Sequence, residues 1–172
     1  MKPLPRAKAE PAATVPVAGA ENAAFALERF VPYRLSVLTN IVSRSIGRVY
    51  IKRFGLTIPE WRVMAVLGRF APLSANEVCE RTEMDKVRVS RAVARMRKAR
   101  LVEHAVDGAD RRRSALRLSA AGRKIHAAIV PLALSKEAEL LAGLSAEDRR
   151  ALDRLLTRLT ERARALDEAA GG

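Results

Sequence analysis

Apolar positions recur at helical spacing along most of this chain and switch to strand spacing in one region. From about Asn22 to Phe54, Leu35, Leu38, Val42 and Val49 fall at i, i+3, i+7 and i+14, with Ile41, Ile46 and Tyr50 broadening the stripe. The spacing predicts a long helix, interrupted near its start by Pro32 and ended by Gly55. A stripe this wide predicts contact with more than the helix's own small domain. Thr57-Ile-Pro-Glu60 then reads as a capping box, with Pro59 in the tolerant first turn of a helix reaching Phe70. Pro72 and Leu73 predict a short extended link.

Ser74-Ala-Asn-Glu77 is a second capping box and opens a short helix ending near Thr82, with Ala75, Val78 and Cys79 expected on its packing side. Glu83-Met84 turns the chain into a helix capped by Asp85. There Val89, Val93 and Met96 share one face, and Arg88, Arg91 and Arg95 share another, roughly 100° or more away at helical pitch. Two short helices joined by a brief turn, the second one basic, form a helix-turn-helix pattern. After Arg100 the period changes. Leu101 to Val106 and Ala115 to Leu118 read as strands, and Asp107-Gly108-Ala109-Asp110 supplies turn residues, so a β-hairpin with Arg111, Arg112 and Arg113 near its tip is expected. Ser119 caps a helix from about Ala121 to Gly143, expected to kink at Pro131. Ser145 and Asp148 open the last helix, whose Leu152, Leu155, Leu156, Leu159, Ala163 and Leu166 line one face.

Charge sharpens this picture. The stretch Asp85–Ser119 carries eleven basic and four acidic side chains, more than half of the net +13 of the 172-residue chain. Basic charge concentrated this way is the footprint of a nucleic-acid surface, and arginine's flat fork can bond a guanine edge or a phosphate in two places. A thin basic hairpin can reach a narrow minor groove. The bland alternative, a solvated basic face, loses ground because the hairpin directly follows the helix. The last helix differs: six acidic and six basic residues between Glu147 and Glu168 leave it neutral, which suits a partner helix.

Few aromatics and abundant Ala and Leu favour helices over sheet, so the fold class expected is mainly α. Residues 1–24, Ala- and Pro-rich, read as a disordered tail, with Lys2, Arg6 and Lys8 as a weakly signalled basic arm. Residues 25–56 read as an N-terminal dimerisation helix, 57–119 as the DNA-binding lobe and 120–168 as C-terminal dimerisation helices, giving a homodimer. The apolar runs are too short for a membrane span, and no membrane partner is expected. The single cysteine, Cys79, suits a reducing cytoplasm and reads as a small core residue rather than a redox thiol. His104 has no second ligand at metal spacing, so no metal site is expected. No cofactor is implied. A Gly-rich phosphate loop, a paired cysteine and histidine and a carboxylate cluster are all missing from the sequence, which argues against an enzyme.

The assembled pattern, over about residues 28–166, resembles the MarR family of bacterial transcription regulators. The family's wing pattern is Asp-x-Arg-x-x-x-Val-x-Leu-Thr; Asp110, Arg112, Leu116, Leu118 and Ser119 occupy its places, with Leu for Val and Ser for Thr, and Gly122 follows. Asp85-Lys86 and Val89-Ser90-Arg91 resemble the start of the family's recognition helix, with Val87 and Arg88 in place of the usual small hydroxyl residues. The resemblance implies a triangular winged-helix homodimer on a pseudo-palindromic operator in double-stranded DNA. Lys86, Arg88, Ser90, Arg91 and Arg95 would face the major groove or its phosphates. Arg111, Arg112 and Arg113 would serve the minor groove, with Asp110 holding the hairpin arginine. Such regulators most often repress and commonly release DNA when a small aromatic or phenolic compound, or in some cases an aryl-CoA thioester, binds. Tyr33–Asn40 and Ile58–Arg62 look similar to members tied to aromatic catabolism. The expected effector lining is Ser36, Asn40, Arg44, Trp61, Met64 and His126. The competing reading is an architectural DNA binder that uses charge alone.

Overall fold

A computed structural model of the chain describes residues 25–106 and 114–171. A short 3-10 turn, Leu27–Arg29, precedes α1 (Val31–Phe54), α2 (Ile58–Phe70), α3 (Ala75–Thr82) and α4 (Lys86–Lys98). The hairpin strands β1 (Val102–Val106) and β2 (Ser114–Leu118) follow, then α5 (Ala120–Leu141) and α6 (Ala146–Gly171). The fold is mainly helical with one small antiparallel sheet, the winged helix-turn-helix expected from the sequence. No described helix is long and apolar enough to cross a membrane.

The chain divides into two compact units within α1, after Val42. The described part of the first unit is short and buries no side chain. Phe25 and Phe30 meet edge to face, ring centres 5.1 Å apart. Leu35, Leu38 and Ile41 of the expected stripe stay exposed. The helix begins at Val31, not at Asn22, because Pro32 falls in its first turn, where a missing N–H breaks no helical bond. Proline here starts the helix instead of interrupting it.

The second unit holds the core. Val63, Met64 and Leu67 of α2 are buried with Val78 of α3, with Val89, Ala92 and Met96 of α4, and with Ile129 of α5. Gly55 ends α1 with φ +68°, a left-handed turn that glycine adopts without strain. Ser74 accepts the Glu77 N–H at 3.2 Å while the Glu77 carboxylate accepts the Ser74 N–H at 2.7 Å, completing the expected capping box. Asp148 and Ser145 close the same reciprocal pair at the start of α6. Ala75 departs from expectation. It is exposed, lining an open groove between α3 and α4 with Cys79 and Val93, so α3 packs through Val78 and a half-buried Cys79. Pro131 lies inside α5 without ending it.

A compact joint sets the hairpin and α5 behind α4. Ser119 Oγ donates to the Arg100 carbonyl at 2.7 Å and accepts the Gly122 N–H at 3.0 Å. A Cβ on Gly122 would come within 2.1 Å of the Leu101 carbonyl oxygen. The serine and the glycine of the wing pattern thus serve one contact: the cap draws the first turn of α5 against the backbone leaving α4. Gly122→Ala is expected to cost about 1–3 kcal/mol by overpacking. A thermal melt should show this as a fall of several degrees, and an unchanged Tm would remove the close approach from the account.

Candidate nucleic-acid interface

The helix-turn-helix is built from two capped helices. α3 ends at Thr82, and Glu83 takes left-handed backbone angles, φ 50°, to make the turn. Met84 then buries, and Asp85 caps α4 by accepting the Arg88 N–H at 2.7 Å. Its carboxylate sits where the helix dipole favours negative charge. Val89, Ala92 and Met96 are buried, Val93 is half-buried, and Lys86, Arg88, Ser90, Arg91 and Arg95 are exposed. One side of α4 is therefore committed to the core and another presents cations.

The three arginines on that outer side are not equivalent. Arg91 has no hydrogen-bond or ion-pair partner among the described residues. Arg88 pairs with Asp85 at 3.2 Å, but both side chains are largely exposed, so water and salt weaken the pair. Arg95 Nε lies 2.8 Å from Oε1 of Glu60, whose side chain is only 5% exposed. Sequence reasoning assigned Glu60 to the cap of α2 and Arg95 to DNA, and it did not join them. The cap is present: the Glu60 carboxylate accepts the Thr57 N–H at 2.7 Å and the Thr57 hydroxyl at 2.8 Å. The remaining oxygen reaches a residue far along the chain, a pairing that no local spacing signals.

Behind α4 the hairpin pairs Val102 with Leu118 and His104 with Leu116. Leu101, Val102, Leu116 and Leu118 are buried. Leu73, in the link expected to be extended, adds a bridge on the other side of β2, with bonds of 2.7 and 3.2 Å to Leu116. The root of the hairpin is thus fixed to the link between α2 and α3. Arg117 pairs with Glu103 across the strands at 2.8 Å, so one of the hairpin's cations is locally neutralised. Asp110, Arg111, Arg112 and Arg113 lie outside the described residues.

The expected effector residues fall in different places. Ser36 and Asn40 are exposed on the part of α1 in the first unit. In the second unit Arg44 is exposed and Met64 is wholly buried, a core residue with no surface to offer a ligand. Trp61 and His126 come together: their rings stack with centres 6.0 Å apart, and Tyr50 packs on Trp61 at 4.8 Å. Tyr50, which the sequence marks only as part of the α1 stripe, joins this cluster. Gly68 makes the room, since a Cβ there would meet His126 Nε2 at 2.4 Å. Burial lowers the His126 pKa and raises that of the Tyr50 phenol, in each case favouring the uncharged form. Among the described residues, no cluster of three or more His, Cys, Asp or Glu is placed to hold a metal ion.

Comparison with known proteins locates this arrangement. A family model described as the MarR family matches residues 54–113. The transcriptional regulator HosA of Escherichia coli O157:H7 is 32% identical over 104 residues, covering 60% of this chain and 77% of HosA. A MarR/EmrR family transcriptional regulator from Acinetobacter sp. ADP1 superposes with a TM-score of 0.77 at 23% identity, over 82% of this chain and 99% of that one. Bordetella bronchiseptica BpsR, whose DNA binding is regulated by 6-hydroxynicotinic acid, gives 0.69 at 24% identity, over 79% and 96% of the two chains.

Proposed function

We propose that this chain, which belongs to the MarR family and so is a DNA-binding transcriptional regulator, is a sequence-specific cytoplasmic repressor. It acts as a homodimer and leaves its operator when a small aromatic ligand binds. The observation that carries the reading is the division of α4 into a buried apolar side and an outer side that presents Arg88 and Arg91. That division leaves guanidiniums available for base edges and phosphates while the buried side seats the helix on the core. In a dimer, two such helices would meet half-sites roughly 34 Å apart. The wing residues Arg111, Arg112 and Arg113 would add minor-groove contacts, supported by the sequence match at Asp110 and Arg112.

The test is binding of the full-length chain to a duplex it has selected from a randomised pool, against random duplex at the same salt. A specific regulator discriminates by about a thousandfold or more. A ratio near one would establish the charge-only architectural reading instead. Salt dependence alone separates nothing, because phosphate contacts dominate both modes.

For the effector, the Trp61–His126 stack supports an aromatic ligand, since flat rings favour offset or tilted packing on rings already held in place. Regulation of BpsR by a hydroxylated heteroaromatic acid is consistent with that class. A ligand acts only through a difference in affinity between DNA-ready and DNA-free conformations. Trp61 is the single tryptophan, so intrinsic fluorescence reports on this cluster directly. Hydroxylated aromatic acids, 6-hydroxynicotinic acid among them, and benzoyl-coenzyme A are the probes. One of them should both change the fluorescence and release the selected duplex. His126→Ala should weaken that probe's binding by roughly two- to tenfold, the size of an aromatic contact, while DNA binding without ligand persists. Fluorescence that stays flat across both classes would count against this cluster.

A further inference from the structure

We infer that Arg95 is a positioning residue: its pair with the buried Glu60 fastens α4 to the start of α2 and fixes the angle at which Arg88 and Arg91 meet the duplex. The inference rests on the reading of α4 as the DNA-reading helix, and it removes Arg95 from the set of DNA contacts.

Glu60 is the only buried charged residue among those described. One carboxylate oxygen is occupied by the N–H and hydroxyl of Thr57, so the group is anchored at the positive end of α2 before α4 arrives. The other oxygen receives Arg95 Nε at 2.8 Å. A bond to that inner nitrogen fixes the plane of the guanidinium close to the helix. If Arg95 swung to a phosphate, it would leave a carboxylate out of water without its counter-charge, a heavily penalised arrangement. Arg91 pays no such cost, and for Arg88 the cost is small because Asp85 is exposed.

The need for the pair follows from what the core cannot do. α2 and α4 pack through Val63, Met64, Val89, Ala92 and Met96, and these contacts set a distance. Apolar burial is non-directional, so it resists a small rotation of α4 about its own axis weakly. Such a rotation carries the outer arginines across the groove. A charge-assisted bond to an anchored acceptor is directional and opposes it.

The experiment uses full-length Glu60→Gln, Arg95→Ala and the double variant, with selected and random duplexes, over roughly 50–200 mM salt. Gln keeps a side-chain acceptor for Thr57 and loses the charge that holds Arg95. Each single change should weaken binding to the selected duplex by about tenfold, and the double by little more, since the two residues act as one unit. Binding to random duplex should change much less. The salt slope of Arg95→Ala should equal that of the unsubstituted chain.

A slope shallower by about 0.9 for each arginine removed would make Arg95 a phosphate contact and overturn the proposal. So would a folded Glu60→Gln variant with full affinity for the selected duplex. If Glu60→Gln fails to fold by circular dichroism, the Arg95→Ala slope decides alone, because that side chain is 65% exposed. If the unsubstituted chain does not distinguish the two duplexes, sequence specificity fails as a reading, and the slope on random duplex still decides the role of Arg95.

Discussion

Replacing Arg88 and Arg91 together by alanine is expected to cost about 2–6 kcal/mol of binding to the selected duplex, roughly thirtyfold or more. The figure follows from one good contact per arginine at about 1–3 kcal/mol each. Stability should not fall with it. The buried side of α4 is untouched, and alanine favours helix at least as well as arginine. The Arg88–Asp85 pair is exposed and contributes little. The Asp85 cap survives because it binds the backbone N–H of residue 88, not its side chain. The separation of effects is the informative part: Tm unchanged, affinity lost, and a salt slope that shallows in proportion to the phosphate contacts removed. A folded double variant that binds like the unsubstituted chain would take α4 out of the interface.

Much of this fold was legible because its punctuation is local. Capping residues act over three positions, so Ser74 with Glu77, and Asp85 and Ser119 with the N–H three residues on, could be read directly from spacing. The strands were marked by the change of period after Arg100. The errors were also local in origin. Pro32 looks like an interruption in sequence because spacing alone does not fix where α1 starts, and the start at Val31 puts it in the first turn. Spacing places Ala75 on the packing side of α3, but the open groove beside it leaves it exposed.

What the sequence hid are pairings between distant segments. Glu60 looked complete as a capping residue, and nothing in its neighbourhood announced a second task for its other oxygen. The meeting of Tyr50, Trp61 and His126 depends on Gly68, whose missing side chain is visible in sequence only as a weak helix residue. Met64 shows the opposite failure. It lies three residues after Trp61 and so on roughly the same side of α2, yet Met64 is wholly buried where Trp61 is only half-buried, a difference in depth that helical spacing does not show.

The homodimer proposed here has its strongest support in α6, and Leu155→Glu with Leu159→Glu is expected to abolish it. The helix has 26 residues, and every one from Leu152 to Ala170 is exposed in the single chain. Leu155, Leu156, Leu159 and Leu166 are about half exposed, along one apolar stripe. A helix of that length gains most of its stability in water by burying an apolar face, and among the described residues none covers this one. A second copy offers the same stripe, and the balanced charges flanking it carry no net repulsion. Two glutamates placed on the stripe would be buried without partners at such an interface, which costs far more than the packing gained. Sedimentation should then show a single protomer where the unsubstituted chain sediments as a pair. Binding to the selected duplex should fall by roughly 10²–10⁴-fold, because linked half-sites exceed either alone by that factor. Binding to random duplex should fall far less, since each protomer keeps its cations. The substitutions should cost little stability within the protomer itself, as neither leucine packs in its core. A double variant that still sediments as a pair would move the dimer interface away from α6. One that sediments singly yet binds the selected duplex with full affinity would show that one protomer suffices to read DNA, and the two-half-site geometry would have to be abandoned.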